Sequence, residues 1–124
     1  MAEVNVITDK REASNLTSGT SLKSKLIGIT YDDLIGIFGE PVFGPGDGDK
    51  TFFEWVVEFE GEIFTIYDWK SPSVDYVKDE LGHDGGISFH IGGKTYAGDF
   101  EDYIDDAKAK GTSISSTDSD ELPF

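Results

Sequence analysis

The chain contains no cysteine, a single arginine, a single methionine and two histidines in 124 residues. Without cysteine there can be neither a disulfide framework nor a thiolate metal site. No apolar run approaches the roughly 20 residues that a transmembrane helix needs. The opening residues, Met1-Ala2-Glu3-Val4-Asn5, lack the basic region and apolar stretch of a secretory signal. A cytoplasmic protein is therefore expected. Histidine is too sparse for metal-ligand spacing: His83 and His90 stand near Asp84 and Asp79 but form no known ligand pattern.

Arginine and lysine are scarce relative to acids. The net charge is −15, and the acidity belongs to the body of the chain. Residues 23–110 hold nineteen acids against eight lysines, whereas residues 1–22 contribute −1 and residues 111–124 contribute −3. The one arginine, Arg11, lies near the N-terminal end. Affinity for nucleic acid comes mostly from phosphate neutralisation, so tight sequence-independent DNA binding by the monomer is not expected. Lys23, Lys25, Lys50, Lys70 and Lys94 could form one groove if the chain were a homo-oligomer.

A hydrophobic fraction of 37% and an aromatic fraction of 13% suffice for the core of one small domain. Residues 1–24 mix polar and charged side chains without periodicity and predict a flexible arm, with at most a short strand at Val4–Ile7. The domain is expected over residues 25–110. Thr30 is an N-cap, Asp32 and Asp33 favour the positive end of a helix, and Tyr31, Leu34, Ile35, Ile37 and Phe38 form its apolar stripe until Gly39 and Pro41 stop it. Two strands follow, Thr51–Phe59 and Glu62–Trp69. Joined through Glu60-Gly61, they place Phe59 opposite Glu62, Val57 opposite Phe64 and Trp55 opposite Ile66.

Residues 71–86 read as a connection with one helical turn at Asp75–Leu81. Ile87–Ile91 alternates as a third strand, and Gly92-Gly93 predicts a hairpin turn into a fourth at Lys94–Ala97. A closing helix opens on Asp99, carries Glu101 and Asp102 in its first turn, buries Phe100, Tyr103, Ile104 and Ala107, and stops at Gly111. Thr112–Thr117 then reads as a tether. The fold class expected is α+β: a small single domain with an antiparallel sheet of about four strands, a helix before and after it, a flexible N-terminal arm and a C-terminal tail at residues 111–124.

Several sites invite chemistry. Gly46-Asp47-Gly48-Asp49 offers oxygens for calcium, but Lys50 and Phe53 break the loop pattern, and a solvated turn is the better account. Paired carboxylates such as Asp105-Asp106 are too common in so acidic a chain to indicate acid–base catalysis. No nucleophile motif or phosphate loop occurs, so a non-catalytic protein without cofactor or metal is expected. One sheet face collects Tyr67 and Trp69 alongside Glu54 and Glu58. The aromatics could stack on unpaired bases, together with Tyr76 and Tyr96, or cover a second apolar cluster. With two glutamates beside them, the covering role and a basic protein partner are the favoured readings of this second interaction face.

The sequence closes on Asp118-Ser119-Asp120-Glu121-Leu122-Pro123-Phe124. This run resembles the C-terminal tip of bacterial single-stranded DNA-binding proteins, an acidic stretch ending in Leu-Pro-Phe or Ile-Pro-Phe. Physically it is an anchor. Phe124 fills an apolar pocket while its α-carboxylate meets a basic side chain, Pro123 limits the entropy lost on docking, and Asp118, Asp120 and Glu121 suit a basic rim beside Leu122. The resemblance implies partners among helicases, nucleases, primase-related and recombination-mediator proteins. The run from Tyr31-Asp32-Asp33-Leu34 to Phe38-Gly39-Glu40-Pro41, with the aromatic strand after it, resembles small phage-encoded proteins. Together these imply a protein of DNA replication or maintenance in a bacterial host cell, with some single-stranded DNA association. The alternative is an acidic DNA mimic that inhibits a host defence or DNA-processing enzyme.

Overall fold

The computed structural model describes residues 3–47, 51–82 and 88–117, with side chains to residue 110. The fold is α+β, with one antiparallel sheet of five strands in the order β1-β3-β4-β5-β2. The strands are β1 (Val4–Ile7), β2 (Ser21–Lys25), β3 (Glu54–Phe59), β4 (Glu62–Tyr67) and β5 (His90–Gly93). The helices among the described residues are α1 (Lys10–Leu16), α2 (Tyr31–Phe38), α3 (Val74–Asp79) and α4 (Gly98–Thr117).

The β3–β4 hairpin sets the frame. Glu60 and Gly61 both take positive φ, 52° and 82°, the geometry of a two-residue turn whose twist matches the strands it joins. Phe59 consequently pairs with Glu62, Val57 with Phe64 and Trp55 with Ile66. This register puts Trp55, Val57, Phe59, Phe64 and Ile66 on one face, where Ile91 joins them and α2, α3 and α4 cover them with Leu34, Phe38, Val77, Phe100 and Ile104. Trp55 is fully buried, and its indole N–H donates to the Gly39 carbonyl at 2.8 Å, tying the end of α2 to the sheet.

α2 begins in a reciprocal capping box: the Asp33 N–H donates to Thr30 Oγ1, and the Thr30 N–H donates to Asp33 Oδ2. Asp33 also pairs with Lys108 of α4 at 3.1 Å, and Lys108 Nζ donates to the Gly28 carbonyl at 2.5 Å. The start of α2 is thus held by the last helix.

Residues 4–24 are not an arm. β1 is an edge strand paired with β3, α1 is capped by Asp9, which accepts from the Glu12 N–H at 2.8 Å, and β2 is the opposite edge, paired with β5. α1 is there for burial: its Ala13 is sealed against Ile7, Val42 and Val56 in a second small core on the other face of the sheet. The sheet therefore has five strands rather than about four, and its helices number more than the expected pair.

Gly92 and Gly93 are strand residues, not a hairpin turn, and the residues after them do not form a strand. A Cβ on Gly92 would stand 2.8 Å from Thr65 Cγ2, and one on Gly93 would stand 2.8 Å from Phe64 Cδ1. Side chains of β4 lie across this backbone, so only glycine fits. The third strand accordingly spans residues 90–93 rather than 87–91, of which residue 87, with residues 83–86 before it, lies outside the described residues. At the other end, α4 runs on through Gly111 to Thr117, where a stop and a tether were expected. A glycine inside a helix costs only about 1 kcal/mol relative to alanine, so it does not by itself end one.

Candidate functional site

The tip residues Asp118, Asp120, Glu121, Leu122, Pro123 and Phe124 lie outside the described residues. The second predicted face can be placed. β3, β4, β5 and β2 present one cross-strand row, Glu54–Tyr67–His90–Lys25, with Trp69 just beyond the end of β4. The adjacent row runs Val56–Thr65–Gly92–Leu22. α1 and the Val42–Phe43 segment cover the Val56 end of this face. Trp69 and Leu22 remain 43% and 52% exposed.

Three of the four predicted face residues, Glu54, Tyr67 and Trp69, come together here. Glu58 does not: it lies two pleat repeats further along β3, opposite Asn5 and Ile63, towards the α1 side. The aromatic residues do not cover the second apolar cluster, which is built from Ile7, Ala13, Val42 and Val56 instead. Tyr76 packs against the main core on the opposite face, and Tyr96 is 80% exposed with its ring against Gly98. Neither belongs to the platform.

The rings contact each other closely. Tyr67 meets His90 edge-on at 5.6 Å between centroids and Trp69 at 6.2 Å, and Trp69 and His90 lie nearly parallel, 23° apart, at 6.5 Å. Lys70 Nζ sits 5.6 Å from the Trp69 ring centre. Burial lowers the His90 pKa, and the nearby Lys25 charge lowers it further. The imidazole is therefore neutral at physiological pH, a flat aromatic surface rather than a cation. Burial raises the Tyr67 pKa, with Glu54 adding to the effect.

Glu54 accepts a hydrogen bond from Thr65 Oγ1. Desolvation raises its pKa against the effect of that bond, and the charge of Asp68 adds to the rise. Because the folded state then holds the proton more tightly than the unfolded chain, this group withdraws stability as pH rises from its ordinary value of 4.5 through the folded-state value. Glu54→Gln, which keeps an acceptor for Thr65, is expected to gain stability relative to the parent between pH 4 and pH 7. Thermal melts across that range check it; a difference that shrinks with rising pH would contradict the assignment.

The residue most important for holding the site is Asp68, which sequence reasoning passed over. It is fully buried. Its Oδ1 accepts from the N–H groups of Phe52 and Phe53, both at 2.8 Å, and its Oδ2 accepts from Phe52 at 3.0 Å. The carboxylate replaces the ladder bonds that would have extended β3 back to Thr51, which is why that strand begins at Glu54. The signal was present, since alternation along Phe64, Ile66 and Asp68 puts the acid on the core face.

In the glycine-rich turn, Asp47 accepts from the Gly44 N–H at 2.8 Å and pairs with Lys10 at 3.1 Å, the arrangement of a closed turn; residues 48–50 lie outside the described residues. Among the described residues no group of three His, Cys, Asp or Glu side chains is placed to hold a metal ion, and no helix is long and apolar enough to cross a membrane. Comparison with protein-family models and with curated proteins finds no match to this chain.

Proposed function

We propose that this is a non-catalytic protein of DNA replication or maintenance in a bacterial cell, phage-encoded, which docks on DNA-processing enzymes through Asp118–Phe124. One observation carries the reading: three acids lead directly into Leu122-Pro123-Phe124, a combination suited to one apolar pocket with a basic rim. The sequence order supports it: the tip follows α4, and among the described side chains of that helix, which end at residue 110, the last fully buried one is Ile104.

The test uses a purified helicase or nuclease that binds the tail of single-stranded DNA-binding protein. The full chain should bind it, a chain lacking Leu122–Phe124 should lose at least roughly tenfold in affinity, and a peptide of residues 112–124 should compete. Unchanged binding of the truncated chain would overturn the reading.

A second reading, inhibition by DNA mimicry, draws on the surface of α4. Asp99, Asp102, Asp105 and Asp106 are exposed along it, and the Glu101 pKa is raised by partial burial and then by Asp105 and Asp102. Such crowding of like charge suits a basic cleft. Binding that survives removal of residues 112–124 and weakens steeply with salt would favour this reading over the first.

A further inference from the structure

We infer that the open half of the sheet, around Trp69, is a binding site for unpaired bases of single-stranded nucleic acid, with Trp69, Tyr67 and His90 as the stacking surface and Lys25 and Lys70 meeting the backbone phosphates. The inference deepens the proposed role in DNA maintenance and rests on it for context, but its observations are separate from the tip.

The first observation is ring geometry. The three rings form one cluster at the end of β4 and β5, and an indole 43% exposed is a large apolar surface left open to water. Stacking on such a ring is available to any base, because every base offers a π face. The second observation is the segregation of positive charge. In a chain of net charge −15, Lys25 and Lys70 flank the rings, and among the described residues neither forms an ion pair with a carboxylate. Lys23 falls at the register shift of β2, and Lys94 lies just past the Gly93 end of β5. Of the lysines that sequence reasoning could unite only through an oligomer, Lys25 and Lys70 thus reach the rings within a single protomer, whereas Lys94 lies past the far end of β5 and Lys50 lies outside the described residues.

The third observation concerns the opposing charge. Glu58 is removed to the α1 side of the face, and Glu54, the acid in the aromatic row, is already engaged by Thr65. Among the described residues the rings are thus flanked by Lys25 and Lys70 as well as by Glu54, and the two cations suit a base with its phosphate better than a basic protein. Two lysines make this a weak site by the standards of dedicated nucleic-acid binders, with a shallow salt dependence.

The experiment is fluorescence anisotropy with labelled oligo(dT) at low salt, using the full chain. The expected result is measurable binding that Trp69→Ala weakens roughly tenfold and Trp69→Phe largely retains. Lys70→Ala should weaken binding and flatten the log–log salt slope by about 0.7, the share of one phosphate contact on a single strand. Duplex DNA of the same length and the mononucleotide dTMP should both bind more weakly than the oligomer. No binding by the full chain, full binding by Trp69→Ala, or equal affinity for duplex or for dTMP would each overturn the proposal. Deleting Leu122–Phe124 should leave oligo(dT) binding in place, so failure of the tip reading and failure of this one give different results.

Discussion

Asp68→Ala is expected to destabilise the protein by about 3 kcal/mol, a large part of the 5–15 kcal/mol typical of a domain this size. The carboxylate is wholly buried, and its partners are the backbone N–H groups of Phe52 and Phe53. Among the described residues no cation lies within ion-pair distance of it. Truncation leaves both N–H groups without their acceptor, that of Phe53 buried and that of Phe52 half-buried, and each such loss in the interior costs about 1–3 kcal/mol. Asp68→Asn keeps one oxygen that can receive both donors but loses the charge, so it should fall between the parent and the alanine variant. Urea unfolding of the three proteins gives the order directly. An alanine variant within about 1 kcal/mol of the parent would mean that water replaces the carboxylate.

The effect should also reach the aromatic face. Asp68 stands between Tyr67 and Trp69, and it fixes the end of β4 against the segment that leads into Glu54. Loosening this clamp frees the ring that we assign to base stacking. At temperatures where the Asn variant is still folded, its oligo(dT) binding should therefore weaken more than its melting curve alone implies.

How much of this was legible depends on how local the cause was. The hairpin was legible because Glu60-Gly61 is a two-residue signal and the alternation on both sides fixes the faces. α2 was legible from Thr30, Asp33 and Gly39, all within one short stretch. β2 was not. Ser21-Leu22-Lys23-Ser24-Lys25 has no buried face, with every position but Ser24 exposed, and it is a strand only because β5 offers its edge from some seventy residues away. Gly92-Gly93 misled for a related reason: the pair has the composition of a turn, and only the side chains of Thr65 and Phe64 lying over it show that glycine is needed for clearance. α1 did carry a local sign, Asp9 followed by Glu12, but its apolar content is small because it covers only the end of one sheet face.

The site divides along the same line. Glu54, Tyr67 and Trp69 share a face by alternation within one hairpin, so sequence reasoning could join them. His90 and Lys25 reach the same row through β5 and β2, and without those pairings the face reads as acidic. The tip is the reverse case, since its seven residues are informative in sequence and need no fold to be read.

Gly82→Ala is expected to be more damaging still than loss of the Asp68 carboxylate. Gly82 has φ +86°, and a Cβ there would stand 1.9 Å from the Ile29 carbonyl oxygen and 2.7 Å from its carbon. Both are backbone atoms, which cannot turn aside as a side chain can. The neighbouring segment would have to move, and it contains the fully buried Ile29 side chain, the Gly28 carbonyl that receives Lys108, and the Thr30 cap of α2. Displacing these together should cost more than about 4 kcal/mol, at the far end of what single substitutions do. Gly61→Ala is the control. Its φ is similar at +82°, but nothing lies within 4 Å of the added Cβ, so it should show only the left-handed backbone penalty of about 1–2 kcal/mol. If the two variants unfold at the same urea concentration, the close approach of Gly82 to Ile29 is not what holds α3 against the start of α2. If Gly82→Ala alone collapses, oligo(dT) binding through the sheet face should vanish with it, while a peptide of residues 112–124 goes on competing for the tip's partner.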